Sequence, residues 1–207
     1  MALSNNPVAT LSVTMITKNA QRTLRHSLQS VQSIASEIII IDSGSTDGTL
    51  AICHEFTDQV FSMDWPGFGV QKQRALDKAS CDWVLSLDSD EVLTSDLADE
   101  IQLILKGSQY DGFLINQHMR FYDKVFKLPI GRDQCLRLFK RERGRFSACH
   151  VHERVIVEGA IGKLKSYMIH YSYESISHWM TKMNEYTSIA SHEKSQAGKK
   201  CSLSKAI

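Results

Sequence analysis

Several absences in this sequence narrow its function before any motif is considered. The formal net charge of the 207-residue chain is +1, so no strong electrostatic field favours nucleic acid as a partner. The five cysteines are scattered, and no two of them form a C-x-x-C pair. That pattern predicts free thiols in a reducing cytoplasm rather than a zinc site or a disulfide framework.

Targeting and membrane signals are equally scarce. Residues 1–7 contain no basic segment followed by an apolar one, so no signal peptide is predicted. The longest apolar patch, residues 38–41, is far too short to span a bilayer. We expect a protein that is soluble or at most bound to a membrane surface. The chain ends at Ile207 without an evident closing element, which leaves a longer natural C-terminus open.

Two common nucleotide-binding loops are missing as well. The G-x-G-x-x-G loop of dehydrogenases requires three glycines after a strand, and Gly67-Phe68-Gly69 supplies only two of them. No G-x-x-x-x-G-K-[ST] phosphate loop occurs either. Any nucleotide must therefore be bound by other means.

The first half of the chain alternates strand and helix patterns. Short apolar runs separated by amphipathic segments are typical of a mainly parallel sheet with helices on both faces. The predicted strands are residues 11–17, 37–42, 59–62 and 82–87, and the predicted helices are residues 20–34, 49–56 and 70–79. Ligands of such sheets bind outside the carboxyl ends of the strands.

The pattern changes near residue 110. Residues 112–116, 134–139 and 145–148 are predicted strands without long intervening helices, and residues 178–192 form a predicted terminal helix. The chain is therefore expected to be one α/β domain with two halves, residues 1–110 and residues 111–207. The second half is the more mixed one.

Three carboxylates follow the fourth predicted strand within four positions, at Asp88, Asp90 and Glu91. If the strand alternation continued, Asp88 and Asp90 would point the same way. Like charges side by side are tolerated mainly when a cation lies between them, and carboxylate oxygens select Mg²⁺ or Mn²⁺. Glu91 would point away and serve as a structural or helix-start acid. The alternative is a solvated helix start that residues 94–96 cap.

The second predicted strand also ends in an acid. Asp42 begins the loop 42–49, in which Asp47 is expected to cap the next helix. Asp42 stands where a side chain can accept hydrogen bonds from a ribose or a base. Because both acidic ends fall on one edge of the sheet, they favour a crevice for a nucleotide and a metal ion.

These motifs together resemble family 2 glycosyltransferases of the GT-A fold, which has a Rossmann-like sheet. The motifs are TMITKN at residues 14–19, DSGSTDGT at 42–49 and LDSDE at 87–91. CHVHERV at 149–155 and HYSY at 170–173 are similar to the branch that adds β-glucose, through a 1,4 linkage, to the heptose of the bacterial lipopolysaccharide inner core. Ser43 departs from the broader family, in which many members have a second Asp there.

The resemblance implies roles for individual residues on the donor side. Asp42 and Thr17 would line the uridine pocket, and Lys72 would face the same crevice. Asp88 would approach the ribose or the metal. Asp90 would bind Mn²⁺ or Mg²⁺ on the diphosphate, and His170 is a further candidate ligand. Residues 1–110 would then bind the nucleotide sugar.

Residues 111–207 would form the acceptor side, where Glu153 matches the general base of an inverting enzyme. A carboxylate there would deprotonate the incoming hydroxyl. His150 and His152 would share one face of a strand, but no third and fourth zinc ligand has suitable spacing. The resemblance further implies a UDP-sugar donor, a lipid-linked oligosaccharide acceptor and work at the inner face of the cytoplasmic membrane.

Two other functions remain open at this point. Residues 88–92 fit the D-x-D-x-[TV] pattern of haloacid dehalogenase-like phosphatases, in which the first Asp is a nucleophile. That pattern belongs on the first core strand, whereas here three predicted strands precede it. A nucleotide-sugar-binding protein without catalytic activity is the second alternative.

Overall fold

The computed structural model describes residues 8–121, 124–126, 134–147 and 154–173, together with isolated residues between 177 and 191. The first part of the chain alternates strands and helices, and the second part is made mainly of strands. The strands are β1 (Leu11–Thr17), β2 (Glu37–Asp42), β3 (Val60–Ser62), β4 (Trp83–Asp88), β5 (Glu91–Leu93), β6 (Gly112–Phe121), β7 (Lys124–Phe126), β8 (Gln134–Lys140), β9 (Gly144–Phe146), β10 (Val155–Val157) and β11 (Ile161–Tyr173). The helices are α1 (Leu24–Val31), α2 (Thr49–Phe56), α3 (Phe68–Lys78) and α4 (Ser95–Leu105).

One large sheet joins both halves of the chain. Its strand order is β3-β2-β1-β4-β8-β6-β11-β5, with β7 paired to β6. Strands β3, β2, β1 and β4 are parallel to one another, whereas β8 is antiparallel to both β4 and β6. The sheet is therefore continuous across the boundary predicted near residue 110, and β9 and β10 form a separate ribbon.

Helices cover both faces of the parallel part, as the sequence predicts. Alternation along β1 sends Val13 and Met15 to the face on which Leu28 of α1 is buried. On the opposite face, Ile16 packs with Ala75 of α3. The strands thus have buried side chains on both faces, which explains their continuous apolar runs.

Helix α1 is shorter than the predicted segment 20–34. The amides of Ala20 and Gln21 donate hydrogen bonds to Thr49 Oγ1 and Asp47 Oδ2, at 2.7 and 3.3 Å. Because these contacts tie residues 20–21 to the loop after β2, regular helix begins only at Leu24. This turn fixes the β1–α1 connection beside the carboxyl edge of the sheet.

The turn after β5 matches the capping that the sequence predicts. Thr94 is the N-cap of α4, and its hydroxyl accepts a hydrogen bond from the Leu97 amide at 3.3 Å. This cap belongs to the helix that follows the acidic motif. It leaves Asp88, Asp90 and Glu91 free for other contacts.

Two further features bear on the sequence-based expectations. Cys53, Cys81 and Cys135 are free thiols. Among the residues that the structure describes, no helix combines the length and apolar character needed to cross a bilayer. The described residues between 177 and 191 that fall in the predicted terminal helix are helical and exposed.

Candidate active site

The carboxyl ends of three parallel strands bring the predicted donor residues to one edge. Thr17 at the end of β1 is in register with Asp42 at the end of β2. On its other side, β1 pairs Ile16 with Asp88 at the end of β4. Thr17 therefore lies between the two acidic strand ends, as expected for a crevice at this edge.

The Asp42 carboxylate is fully buried and is bound by its own loop. Its Oδ1 atom accepts hydrogen bonds from the amides of Gly44 and Ser45, at 3.0 and 2.9 Å. Its Oδ2 atom accepts a hydrogen bond from the Ser45 hydroxyl at 2.5 Å. Gly44 adopts a φ of 82°, which glycine tolerates best, and this closes the turn. In this structure Asp42 shapes the loop, and its contact with a nucleotide stays a prediction.

Asp47 has the structural role that the sequence predicts. Its Oδ1 atom accepts hydrogen bonds from the amide and hydroxyl of Thr49, at 3.0 and 2.5 Å. The bond from the Thr49 hydroxyl leads the interactions that lower the pKa of this carboxyl. The loop before α2 is therefore held by its own side chains.

The hydroxyl of Thr17 is one of the buried polar groups that have no hydrogen-bond partner among the described residues. Thr17 is 4% exposed, and its Oγ1 atom is buried without a hydrogen-bond partner among the described residues. A buried hydroxyl without a partner costs free energy. The contact expected between Thr17 and a nucleotide stays a prediction.

Asp88 is held between two cationic side chains. Lys72 Nζ lies 2.8 Å from its Oδ1 atom, and Arg137 Nη2 lies 2.5 Å from its Oδ2 atom. Burial alone would raise the pKa of Asp88. The Arg137 guanidinium and the Lys72 ammonium outweigh burial and hold that pKa well below its usual range. The positive charge expected beside Asp88 is thus supplied by two side chains of the protein, Lys72 and Arg137.

Asp90 faces a different partner because β4 ends at Asp88 and residues 89–90 form a turn. Strand alternation therefore does not extend to Asp90, and the expectation that its side chain points the same way as Asp88 stays a prediction. Asp90 Oδ2 lies 3.2 Å from His170 Nε2, and its carbonyl accepts a hydrogen bond from the Tyr171 amide at 2.8 Å. Burial lowers the pKa of His170, but the Asp90 hydrogen bond and the neighbouring carboxylates raise it overall.

Glu91 is fully buried behind this turn. Its Oε2 atom accepts a hydrogen bond from the Asp88 amide at 2.9 Å. Its Oε1 atom accepts hydrogen bonds from Gln117 Nε2 at 2.7 Å and from Arg137 Nη2 at 2.6 Å. The structural role expected for Glu91 is confirmed, but the side chain does not point away, because it shares Arg137 with Asp88. Burial raises the pKa of Glu91 despite that guanidinium.

Helix α3 connects the two acidic strand ends. Lys72, which is 4% exposed, reaches Asp88, and the preceding residue Gln71 donates a hydrogen bond from Nε2 to Ser43 Oγ at 2.9 Å. The ion pair places Lys72 beside Asp88, and its part in binding the nucleotide stays a prediction. Ser43, the position that departs from the family pattern, is used to bind the helix.

Sequence reasoning missed Arg137, Gln117 and Gln71. Arg137 interrupts an otherwise apolar segment of β8, and this could have signalled a buried charge with a specific partner. Its partners lie 49 and 46 positions earlier in the chain. No local pattern connects positions so far apart.

The donor atoms at this edge fit a divalent cation through Asp90 and His170. Carboxylate oxygen and imidazole nitrogen both bind Mn²⁺, which commonly takes few protein ligands and fills its other positions with phosphate oxygens and water. Asp88 fits less well, because each of its oxygens already contacts a cation. In the described part of the chain, no group of three His, Cys, Asp or Glu side chains is arranged to hold a metal ion.

Three predicted residues lie outside the described part of the chain. They are Glu153, the predicted general base, and the flanking histidines His150 and His152.

Comparison with known protein families identifies the family to which this chain belongs. A sequence model described as "Glycosyl transferase family 2" matches residues 12–164. The chain belongs to glycosyl transferase family 2. The match includes β1 after Leu11, the Asp42 loop, the turn of Asp88 and Asp90, and Arg137.

Relatives of this family 2 glycosyltransferase support the same assignment. The chain is 32% identical over 205 residues to an uncharacterized glycosyltransferase of Rickettsia conorii, covering 93% of this chain and 73% of that protein. It is 28% identical over 203 residues to the lipopolysaccharide core biosynthesis glycosyltransferase LpsC of Rhizobium meliloti, covering 94% of this chain and 75% of LpsC. The chain is therefore a glycosyltransferase, as the motifs predict.

Solved structures support the GT-A fold. The crystal structure of S. aureus TarS residues 1–349 superposes with a TM-score of 0.59 at 17% identity, covering 79% of this chain. The match covers 60% of that TarS fragment, so the present chain spans less than two thirds of the fragment's length. The GT-A fold expected from the sequence is confirmed, and the phosphatase alternative is wrong.

Proposed function

We propose that this family 2 glycosyltransferase transfers a hexose, glucose, from a UDP-sugar to a saccharide acceptor with inversion at the anomeric carbon. One observation carries the proposal. The Lys72–Asp88 ion pair at the end of β4 and the Asp90–His170 contact in the following turn lie at the carboxyl edge of the parallel strands, where β1 also ends at Thr17. This edge offers cationic, carboxylate and hydroxyl groups to a nucleotide diphosphate.

The identity of the donor rests on the family and on one structural relative. TarS residues 1–349 have been crystallised in complex with UDP and with UDP-GlcNAc. We infer that this chain takes a UDP-sugar at the corresponding edge. The Thr17 hydroxyl would donate to the nucleotide, and Asp42 and Asp88 would accept hydrogen bonds from it. Lys72 would add positive charge near the diphosphate.

We propose Asp90 and His170 as the protein ligands of a Mn²⁺ or Mg²⁺ ion. Such an ion neutralises charge that develops on the leaving diphosphate. Both side chains stand on fixed elements, because the Asp90 carbonyl is bound by the amide of Tyr171, the residue after His170. We propose that Asp88 lies next to this metal ion on the nucleotide side and is not its main ligand, because its two oxygens already contact Lys72 and Arg137.

Glu153 is proposed as the general base on the acceptor side. Its carboxylate would take the proton of an acceptor hydroxyl while the oxygen bonds to the anomeric carbon. The bond from that carbon to the diphosphate oxygen breaks on the opposite face, and UDP leaves with the electron pair. Because the new bond forms on the face opposite the departing diphosphate, the configuration at the anomeric carbon inverts.

The proposal for the acceptor rests on one relative, LpsC of Rhizobium meliloti. LpsC is described as a lipopolysaccharide core biosynthesis glycosyltransferase. We propose a lipid-linked core oligosaccharide as the acceptor, with heptose as the accepting sugar. Such an acceptor would place the enzyme in the cytoplasm at the inner face of the membrane.

One assay tests the proposed donor, metal and acceptor together. Purified protein is incubated with a panel of UDP-sugars, with and without Mn²⁺, and UDP release is measured before and after heptose-containing core acceptors are added. The proposal expects metal-dependent release from UDP-glucose that the acceptor stimulates. Binding of the UDP-sugars without release of UDP under all these conditions would contradict the proposed donor, metal and acceptor.

The variant Glu153→Gln tests the proposed base in the same assay. It removes the basic carboxylate and keeps a side chain of similar shape, so UDP binding should persist while transfer is lost. Glu158→Gln, on an exposed position after β10, is the matched control and should keep both. An active Glu153→Gln enzyme would refute the role.

A further inference from the structure

We infer that Arg137 and Glu91 form a buried positioning pair that holds the Asp88 and Asp90 turn in its working geometry. The inference rests on the proposed function, because it takes Asp88 and Asp90 to face the donor. Neither Arg137 nor Glu91 would touch the substrate, and both would act through the two acids in front of them.

The first argument is the way one guanidinium nitrogen joins two carboxylates. Arg137 Nη2 lies 2.5 Å from Asp88 Oδ2 and 2.6 Å from Glu91 Oε1. The Arg137 side chain is 11% exposed and the Glu91 side chain is 0% exposed, whereas Asp88 is 31% exposed. The pair is thus buried beneath an acid that reaches the surface of the crevice.

The second argument is that Glu91 closes the turn that carries Asp90. Its two oxygens bind the Asp88 amide, Gln117 of β6 and Arg137 of β8. Glu91 is also paired in register with His170, so it fixes the strand next to the proposed metal ligand. A substitution at Glu91 would therefore alter the positions of Asp88, Asp90 and His170 together.

The third argument is that Arg137 is not fully satisfied by the fold. Its Nε atom is buried and has no acceptor among the described residues. An unmet buried donor costs free energy, and a buried ion pair is often no more stable than neutral side chains of similar volume. Stability alone therefore gives a weak reason for an arginine here, whereas positioning of Asp88 gives a direct one.

The test is a double variant that removes both buried charges at once. Arg137→Met alone would leave Glu91 buried without its cation, so this single variant is expected to have a lower melting temperature. The double variant Arg137→Met with Glu91→Gln avoids that unpaired charge, so its melting temperature should stay near that of the unmodified protein. The matched control is Arg25→Met with Glu55→Gln. It removes an arginine–glutamate pair of the same chemistry whose side chains are 42% and 49% exposed, between α1 and α2.

Kinetics give the first readout. We expect kcat/KM for the UDP-sugar to fall by about 10- to 100-fold in the folded double variant, because a small misplacement of reacting groups is costly. The control pair should keep the unmodified value. Arg137→Lys keeps the charge but cannot donate to two carboxylates in the same planar geometry, so it should remain impaired. A folded double variant or Arg137→Lys with unchanged kcat/KM would overturn the inference.

A crystal structure of the double variant gives a readout that does not depend on activity. The inference expects the Asp88 carboxylate to leave its position between Lys72 and residue 137, and the turn of residues 89–90 to shift. An unchanged Asp88 rotamer and turn would overturn it. Absence of UDP-sugar turnover in the unmodified protein would instead count against the proposed function, and the crystal structure would still decide the positioning role.

Discussion

Lys72 Nζ lies 2.8 Å from Asp88 Oδ1, and this contact joins helix α3 to the acidic end of β4. Both residues were expected at the nucleotide site, but the sequence did not connect them to each other. The contact shows that Asp88 is neutralised by the protein, which leaves Asp90 as the acid better placed for an added cation.

The ion pair leads to a prediction for Lys72→Met. Without the ammonium, positive charge near the diphosphate is lost and the pKa of Asp88 rises, so UDP affinity should fall by about tenfold, equivalent to about 1.4 kcal/mol. Isothermal titration measures this value. Lys78→Met in the last turn of the same helix is the control, and equal UDP affinity in the two variants would contradict the role of Lys72.

Thr17→Val should separate stability from binding. Removing a buried hydroxyl without a partner should raise the free energy of unfolding by about 1 kcal/mol, and loss of the proposed contact should weaken UDP binding about fivefold. Thr14→Val is a close control, because its Oγ1 atom is also buried in β1 without a partner in the described structure.

Denaturant unfolding and UDP titration of both valine variants give the answer. Thr14→Val should be stabilised without a change in UDP affinity. If Thr17→Val bound UDP as tightly as Thr14→Val, the hydroxyl would have no part in the donor site.

His170→Gln should alter the metal requirement. Loss of residues that merely support a metal ligand usually lowers metal affinity by about 10- to 100-fold. Loss of the proposed imidazole ligand itself should therefore raise the Mn²⁺ concentration needed for half-maximal activity by at least as much. His54→Gln on the exposed face of α2 is the control. A variant at residue 170 with an unchanged Mn²⁺ requirement would restrict His170 to a structural contact with Asp90.

Glu37 gives a prediction about acid stability that is independent of function. Burial raises the pKa of this carboxyl, but hydrogen bonds from Ser12, Ser80 and Gln59 outweigh it and lower the pKa from 4.5 to about 2. Because the folded-state pKa is the lower one, Glu37 contributes stability above the unfolded-state pKa near 4.5. That contribution is lost as the pH falls towards 2.

Urea unfolding between pH 6 and 2 tests this linkage. The stability advantage of the unmodified protein over Glu37→Gln should shrink through the acid range. The corresponding difference for Glu142→Gln, at an exposed position of the 3₁₀ turn that precedes β9, should stay small. A constant difference for Glu37→Gln would contradict the linkage.

Much of the fold follows from local sequence pattern. The bounds of β1, β2 and α2 match their predicted segments, because buried strands rich in β-branched residues and a segment with helical spacing are recognisable locally. Strand β6 extends to Phe121, five residues past the predicted end. Its polar residues hide the strand pattern, while pairing with β8 and β11 stabilises it.

The donor edge of the site was also largely predictable. Strand ends of a parallel sheet meet at one edge, so Thr17, Asp42 and Asp88 could be placed there from the sequence alone. Which partners these side chains choose could not be predicted. Arg137 comes from β8, an antiparallel strand inserted beside β4, and only the folded sheet brings it to Asp88.

The most direct test of the account is a titration of UDP into the unmodified protein with and without Mn²⁺, repeated with Asp90→Asn. The account predicts that Mn²⁺ tightens UDP binding to the unmodified protein. Asp90→Asn should lose this effect, while the control Asp96→Asn, exposed in the first turn of α4, should retain it. UDP binding that is absent, or that is independent of Mn²⁺ in all three proteins, would contradict the proposed metal-assisted donor site.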